Sequence, residues 1–459
     1  MRSWSRQSGW WWLAIACGLA LRAIFAVHHP RFDGDTLVYG DLARNMLDHH
    51  IYGLTEGMRV RSTMIRLPGY PLFLGLCFNL FGEGRYSAAV WVQIVLALAA
   101  CWALARAAAR SLGERVGLAV LWLACLCPFT AEYDALALTE SLAMVCLVVA
   151  LVALQRWQGD RKARWAVAMG AASLFAVLLR PDRGLLAMVC VLAMIVFARR
   201  RAVMPVLLVC GMVSLPLAGW AVRNWRVFRV IQPLAPKYAN DPGEYVAPGF
   251  NRWYRTWAVE YWSTVNTYWM WDGGVIRLSD LPDRAMDTPA ERAKTAHAYE
   301  LYNRQQSATR PVDAIFAEIA AERAARHPLR TYVLMPVGRV ADMWLRPRTE
   351  FFRLPLAWWR WREHPGASIV CALYAALNLS LLLLALVGLR RWPKWWREPL
   401  PLAGVMFVAL RTVLLLTIDN SEQRYTVECL PVVLLLAGVA LAQRKTSLPE
   451  SAATFSKAD

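Results

Sequence analysis

The chain has 459 residues, 58% of them hydrophobic, with 23 tryptophans and a mean hydropathy of +0.33. A soluble domain could not cover that much apolar surface with polar groups, so a soluble globular protein is excluded and a polytopic membrane protein is expected. The formal charge of +18 would suit nucleic acid if the basic residues formed one patch, but they lie scattered between apolar stretches, which sets nucleic-acid binding aside.

In chain order, about ten stretches are apolar enough to cross the hydrocarbon core as helices. They centre on "WWWLAIACGLALRAIFAV", "AAVWVQIVLALAACWALA", "VGLAVLWLACLCPF", "ESLAMVCLVVALVAL", "WAVAMGAASLFAVLL", "GLLAMVCVLAMIVFA", "VMPVLLVCGMVSLPLAGWAV", "ASIVCALYAALNLSLLLLALVGL", "LAGVMFVALRTVLLLTI" and "ECLPVVLLLAGVALA", the third being short. The first is too long, and its exit too poor in small residues, for a cleaved signal peptide, so it is expected to stay as a helix. The basic runs "RAAARSLGER", "RWQGDRKAR", "ARRR", "RRWPKWWR" and "QRK" occupy every second connection. With Arg2 and Arg6 they place both termini in the cytoplasm by the positive-inside rule, the chain being a multi-pass protein of the cytoplasmic (inner) membrane. The ten cysteines fall in apolar segments, so no extracytoplasmic disulfide framework is implied and Cys125-x-Cys127 reads as helix packing.

The remaining connections then face outward: residues 28–85, "TAEYDALAL", the "RPDRG" corner, residues 222–365 and "IDNSEQRYT". This divides the chain into an N-terminal transmembrane module (1–221) carrying the acidic first loop, an extracytoplasmic lid or acceptor segment (222–365), and C-terminal transmembrane helices with a short cytoplasmic tail (366–459). In the first loop "TLVYGDLARNML" places Leu37, Tyr39, Leu42 and Met46 at helical spacing and predicts an amphipathic helix along the interface, with Asp35 at its start. "RLPGYPLFLGLCFNLFG" reads as a broken or interfacial helix. Residues 222–365 are too long for an idle linker. Their Trp-, Tyr-, Pro- and Gly-rich first half predicts irregular structure, and their second half helices, one starting at Thr288-Pro289.

The outward face holds the candidates for chemistry. Asp33-Gly34-Asp35 suits either a solvated turn at a helix start or a catalytic carboxylate. A cytoplasmic Asp-x-Asp would suggest a metal and a nucleotide-sugar, but the side is wrong, and the chain has no G-x-G-x-x-G or P-loop stretch. A donor used outside must arrive on a carrier, and a lipid in the same bilayer is the economical one. A lipid-phosphate donor requires a carboxylate to take the acceptor proton, cations to hold the departing phosphate, and an apolar groove for the tail. Arg66, Arg180, Arg183 and Arg424 are available cations, although arginines near span ends also snorkel to headgroups. Arg411, about two turns inside an apolar span, requires a partner carboxylate or a polar cavity. "AEYDALALTESL" adds Glu132, Asp134 and Glu140, the last placed either to cap a helix or to tune a base. The pairs His28-His29 and His49-His50 could add metal ligands beside Asp33 and Asp35, but neighbours in sequence rarely converge on one ion. No cofactor is required, and a divalent cation is left open.

The stretches "DGDTLVYGDLARNML", "RLPGYPLFL", "LALTESLAM" and "SEQRYTVECLPVVLLL", in this order, resemble bacterial GT-C membrane glycosyltransferases of glycosyltransferase family 39, which include protein O-mannosyltransferases and the aminoarabinose transferases of lipid A. The likeness covers most of the transmembrane chain and is weak over 222–365 except at "HPLRTYVLMPVGRVADMW". It implies an all-α, GT-C-type bundle of about ten transmembrane helices with interfacial helices and a mainly helical and irregular extracytoplasmic segment. The implied reaction moves a sugar from a polyprenyl phosphate, such as undecaprenyl phosphate, to an extracytoplasmic lipid, glycan or protein. An inverting displacement is expected, with Asp35 as base, Asp33 as secondary acid, Arg66, Arg424 and Arg180 neutralising phosphate, Tyr39, Tyr70 and Tyr425 lining the donor site, and Glu140 orienting or balancing charge. Where aminoarabinose transferases have Lys-Pro-Pro this chain has Arg66-Leu67-Pro68, and where the family has Glu after the aspartate it has Thr36; these departures bear on the sugar and acceptor, not on the reaction type. A polyprenyl-linked lipid transporter or flippase, and a non-catalytic envelope-assembly subunit, are the competing classes. The first would put polarity at the bilayer midplane in pseudo-symmetric halves, whereas here polarity gathers on one face.

Overall fold

The computed structural model describes residues 2–28, 30–271, 273–350, 352 and 354–442, with the backbone alone for residues 2–7. His29, the side chains of Arg2 and Arg6, and the "QRK" run with the tail after it lie outside the described residues. In order, the elements are α1 (Arg2–His28), α2 (Asp35–Asp48), a hairpin of β1 (Gly53–Glu56) and β2 (Arg59–Ser62), α3 (Gly69–Phe81), α4 (Tyr86–Leu112), α5 (Glu114–Leu126), α6 (Pro128–Asp134), α7 (Thr139–Asp160), α8 (Ala163–Leu179), α9 (Leu185–Ala198) and α10 (Val203–Phe228). The outer segment follows with α11 (Pro248–Arg255), the single turn α12 (Tyr261–Ser263), α13 (Pro289–Gln305), α14 (Arg310–Arg326) and α15 (Met335–Leu345). The chain closes with α16 (Pro365–Arg391), α17 (Pro399–Leu415), α18 (Arg424–Val427) and α19 (Leu430–Ala442).

Each of the ten apolar stretches lies on helix, and the protein is an all-α membrane protein, the short hairpin being the exception among the described residues. By length and composition, Ser8–His28, Tyr86–Leu112, Thr139–Asp160, Pro181–Phe228 and Pro365–Arg391 are sufficient to cross a membrane, and α5 and α6 are sufficient only when taken together as a bent pair. The Pro181–Phe228 run holds two of the expected stretches, α9 and α10, folded against one another across the turn Arg199–Ala202. α8 and α17 have 17 residues each, a rise of about 26 Å, close to the hydrocarbon thickness. α19 is apolar all round and buried from Leu430 to Ala440, the pattern of a helix at a bundle centre. It packs against α16 so closely that a Cβ on Gly388 would sit 1.7 Å from the Leu436 carbonyl oxygen.

The short third stretch has a physical explanation. Pro128 has no N–H to donate and forces Cys127 into extended geometry (φ −66°, ψ 112°), so the span breaks into α5 and α6 at an angle of 56°. The carbonyls freed at the break are taken by Arg22 of α1, which donates to Cys125 O (2.8 Å) and Ala124 O (3.5 Å) and through Nε to Asp134 (2.9 Å). "TAEYDALAL", expected as an outward loop, is therefore largely helix α6 and its turn, with Glu132 and Asp134 buried in the bundle.

Outside the bundle, the segment after α10 has its own core, in which Phe250, Trp253, Tyr254 and Trp257 pack with Tyr299, Tyr302 and Phe316. Its first half is irregular and its second helical, as predicted, and Thr288 caps α13 by accepting the Glu291 N–H (3.1 Å). α10 runs on through residue 222 to Phe228. The hairpin, absent from the sequence reading, turns through Gly57 at φ +61°.

Candidate active site

Helix α2 begins at Asp35 because the chain turns in through Gly34 at φ +52°, a left-handed conformation that costs glycine little. The Asp33-Gly34-Asp35 turn supplies no capping side chain. Thr36 ties the helix start to the bundle by donating to the Ala137 carbonyl at 3.0 Å. Tyr39 and Leu42 bury as the periodicity predicts and Met46 is half-buried, but Leu37 stays exposed. Gly40, Ala43 and Asn45 complete the buried face.

This anchoring presents Asp35 to a cavity of about 1160 Å³, bounded on one side by the bundle and on the other by residues 232–308 and 418–425. Arg66 Nη2 donates to Asp35 Oδ1 and Arg424 Nη1 to Asp35 Oδ2, both at 2.9 Å. Arg424 also pairs with Glu422 at 2.5 Å, and Tyr425 donates to Glu422 at 2.8 Å. Burial raises the Asp35 carboxyl, but the charges of Arg424 and Arg66 outweigh it and hold the group well below the usual carboxylate range. Burial, followed by the Glu422 charge, pushes the Tyr425 hydroxyl up to about 12.

Behind this pair six side chains close a ring of alternating charge. Arg180 meets Asp182 (3.3 Å), Asp182 meets Arg411 (2.5 Å), and Arg411 meets Glu428 (3.8 Å). Glu428 meets Arg183 (2.5 Å), and Glu140 stands 3.9 Å from both Arg183 and Arg180. Three cations and three carboxylates compensate one another, which offsets much of the desolvation cost of burying them. Arg411 thus has the carboxylate partner its position in the span required. Arg180 and Asp182 are the two members of the ring that reach the cavity.

Of the residues expected in the site, Asp35, Tyr39, Arg66, Arg180, Arg424 and Tyr425 line one cavity. Tyr70 stands behind Tyr39, edge to face at 5.1 Å, fully buried and donating to Gln93 Oε1. Glu140 is buried in the ring. The side chain of Asp33 is exposed and outside the cavity lining. Glu132 and Asp134 do not reach it either. Among the described residues no group of three or more His, Cys, Asp or Glu is placed to hold a metal ion; His28, His49 and His50 are exposed. Sequence reasoning passed over Asp182, Glu422 and Glu428, although each stands next to or near an arginine inside a quoted motif. It also passed over Arg22, which the rule applied to Arg411 would have found.

Residues 66–221, about a third of the chain, match the model of the dolichyl-phosphate-mannose-protein mannosyltransferase family. No curated protein matches. Among solved structures, the chain is similar to an oligosaccharyltransferase of Archaeoglobus fulgidus tethered with an acceptor peptide containing the NVT sequon, with a TM-score of 0.51, 13% identity, and coverage of 94% of this chain and 49% of that one. The archaeal oligosaccharyltransferase AglB from Archaeoglobus fulgidus, in complex with an inhibitory peptide and a dolichol-phosphate, gives 0.50, 12%, 94% and 50%. This chain spans about half the length of both. ArnT from Cupriavidus metallidurans bound to undecaprenyl phosphate, at 15% identity over 95% of this chain and 78% of that one, has a TM-score of 0.41. The architecture is a GT-C-type membrane fold, similar to that of the archaeal oligosaccharyltransferases.

Proposed function

We propose that the protein is an integral-membrane glycosyltransferase that moves a sugar from a polyprenyl-phosphate carrier to an extracytoplasmic acceptor by direct, inverting displacement. The observation that carries this reading is the Asp35 carboxylate, gripped through both oxygens by Arg66 and Arg424 at the wall of a large cavity. The family matched over residues 66–221 is described by a dolichyl-phosphate sugar donor, and the AglB structure holds a dolichol-phosphate. In this reading the bundle lies in the cytoplasmic membrane with both termini in the cytoplasm, the cavity opening outward under the 222–365 segment.

In the free protein Asp35 is neutralised by its arginines and is a poor base. A donor phosphate brings oxygens that compete for the same two guanidiniums, whose planar forks suit phosphate as well as carboxylate. As Arg66 and Arg424 turn to the phosphate, with Arg180 beside them, Asp35 regains basicity. The acceptor hydroxyl then gives its proton to Asp35 while its oxygen bonds to the anomeric carbon. The bond from that carbon to the phosphate oxygen breaks, and its electron pair leaves with the phosphate, whose charge the arginines stabilise.

The test is Asp35→Asn in vesicles made with polyprenyl-phosphate sugar. Transfer is expected to fall by about 10²- to 10⁴-fold, the worth of a general base, with insertion and carrier binding retained. Full transfer in that variant would remove Asp35 from its role, and lipid flipping without transfer in the unaltered protein would favour a transporter.

A further inference from the structure

We infer that the part of the cavity walled by the outer segment is a subsite for an uncharged carbohydrate, which acts as the acceptor; this rests on the transferase reading above. The volume raises the question first. About 1160 Å³ exceeds the roughly 300–1,000 Å³ that one drug-sized ligand fills, so the cavity has room for a second ligand beside a donor headgroup.

The two ends differ in chemistry. At the bundle end the lining is charged. At the other end Trp269, Tyr238 and Tyr245 present rings to the cavity, Trp269 being 45% exposed. The segment carrying Trp269 is held stiffly. Its amide donates to Thr264 O at 2.9 Å, its ring meets Tyr261 edge-on at 5.5 Å, and Trp271, two residues on, is clamped between Phe250 (3.9 Å) and Tyr302 (4.6 Å). A fixed aromatic face with its negative quadrupole attracts the row of C–H groups on one face of a pyranose.

The polar groups beside these rings fit the rim of such a ring. Gln232, Asn240 and Asn251 line the cavity, and none of their side-chain amides bonds to a described residue. Asn251 is the telling one, because it is only 8% exposed and a polar group so buried calls for a partner. An amide both donates and accepts, as adjacent sugar hydroxyls do. The charged groups at this end stand in ion pairs, Asp419 with Lys237 at 3.4 Å and Arg255 at 3.3 Å, and Glu244 with Arg61 at 2.8 Å. The three amides are the neutral polar groups left there for a ligand. A peptide fits less well, since neither strand of the hairpin borders the cavity to pair with its backbone.

Saturation-transfer NMR on the full chain in nanodiscs containing undecaprenyl phosphate tests this, with neutral tri- and tetrasaccharides of glucose, galactose and mannose, and a serine- and threonine-rich peptide, as probes. Saturation of sugar C–H protons is expected. Trp269→Ala and Asn251→Ala should each weaken binding by about twofold to tenfold, as loss of one such contact implies, and Trp269→Phe should restore most of it. Carrier binding is expected to stay unchanged in all three. Saturation on the peptide alone, on no probe, or on sugars equally in every variant would overturn the subsite while leaving the transferase reading to its own test. Normal transfer by Asp35→Asn would defeat that reading whatever the sugars do.

Discussion

Asp35 presents a conflict between acidity and basicity that its two arginines set and a phosphate would release. With burial raising the carboxyl and Arg424 and Arg66 outweighing it, the group stays ionised in the free protein far below neutral pH. The sign for stability follows, since a depressed carboxyl contributes in full above its unfolded value and loses that contribution only as pH falls through the lower folded value. The acid side of kcat/KM, which reports the free enzyme, is therefore expected to show no Asp35 limb down to about pH 5, above the ordinary carboxylate range of about 4. The kcat profile, which reports the bound complex, is expected to show its acid limb at higher pH than kcat/KM, because the arginines have by then turned to phosphate. Coincident limbs would mean that Arg66 and Arg424 never leave Asp35. Arg424→Lys keeps a charge but loses the second donor of the fork, so carrier affinity measured by isothermal titration should drop less than in Arg424→Ala, which also leaves Glu422 without its cation.

At the scale of elements, the break between α5 and α6 is held by a charge from another helix. Arg22 is fully buried, and its removal leaves the Asp134 charge without its cation and the Cys125 carbonyl without its donor in the bundle. Arg22→Met is expected to cost about 3–5 kcal/mol, typical of a broken buried pair, read as a lower unfolding temperature in detergent. Arg22→Met with Asp134→Leu should recover a large share. Gly388→Val is expected to separate α16 from α19 and destabilise the bundle, because its side chain would occupy the place of the Leu436 carbonyl. Much of this level was legible in the residues. Ten apolar runs became helices, Thr288 became a cap, and Pro128 sits where the short third stretch ends. What stayed hidden were pairings across long separations, such as Arg22 with Asp134 or Arg183 with Glu428, since charge type and spacing name a need for a partner and not which partner. The hairpin was hidden for another reason, as four-residue strands carry too little alternation to stand out beside apolar helices. At the site, the first-loop carboxylate and five of its cavity neighbours could be named from motifs, whereas Tyr70 and Glu140 pack one layer behind the wall, a depth that no motif encodes.

For the whole molecule, the reading depends on which side of the bilayer the cavity faces. Met58 stands fully exposed at the hairpin tip on the first loop. In a variant lacking the native cysteines, Met58→Cys is expected to react with an impermeant maleimide in intact cells and to be protected in inside-out vesicles. The opposite pattern would put the cavity toward the cytosol and end the lipid-carrier proposal. The six-membered charge ring carries a different lesson, about heredity. Because its charges sum to nothing, changing one member alone strands an opposite charge in a largely dry setting, most severely for Glu140, Arg183, Arg411 and Glu428, while changing an opposite neighbour at the same time restores neutrality. Descendants of this sequence should accordingly keep all six or trade them in couples, and a lone replacement should be rare among those that still fold.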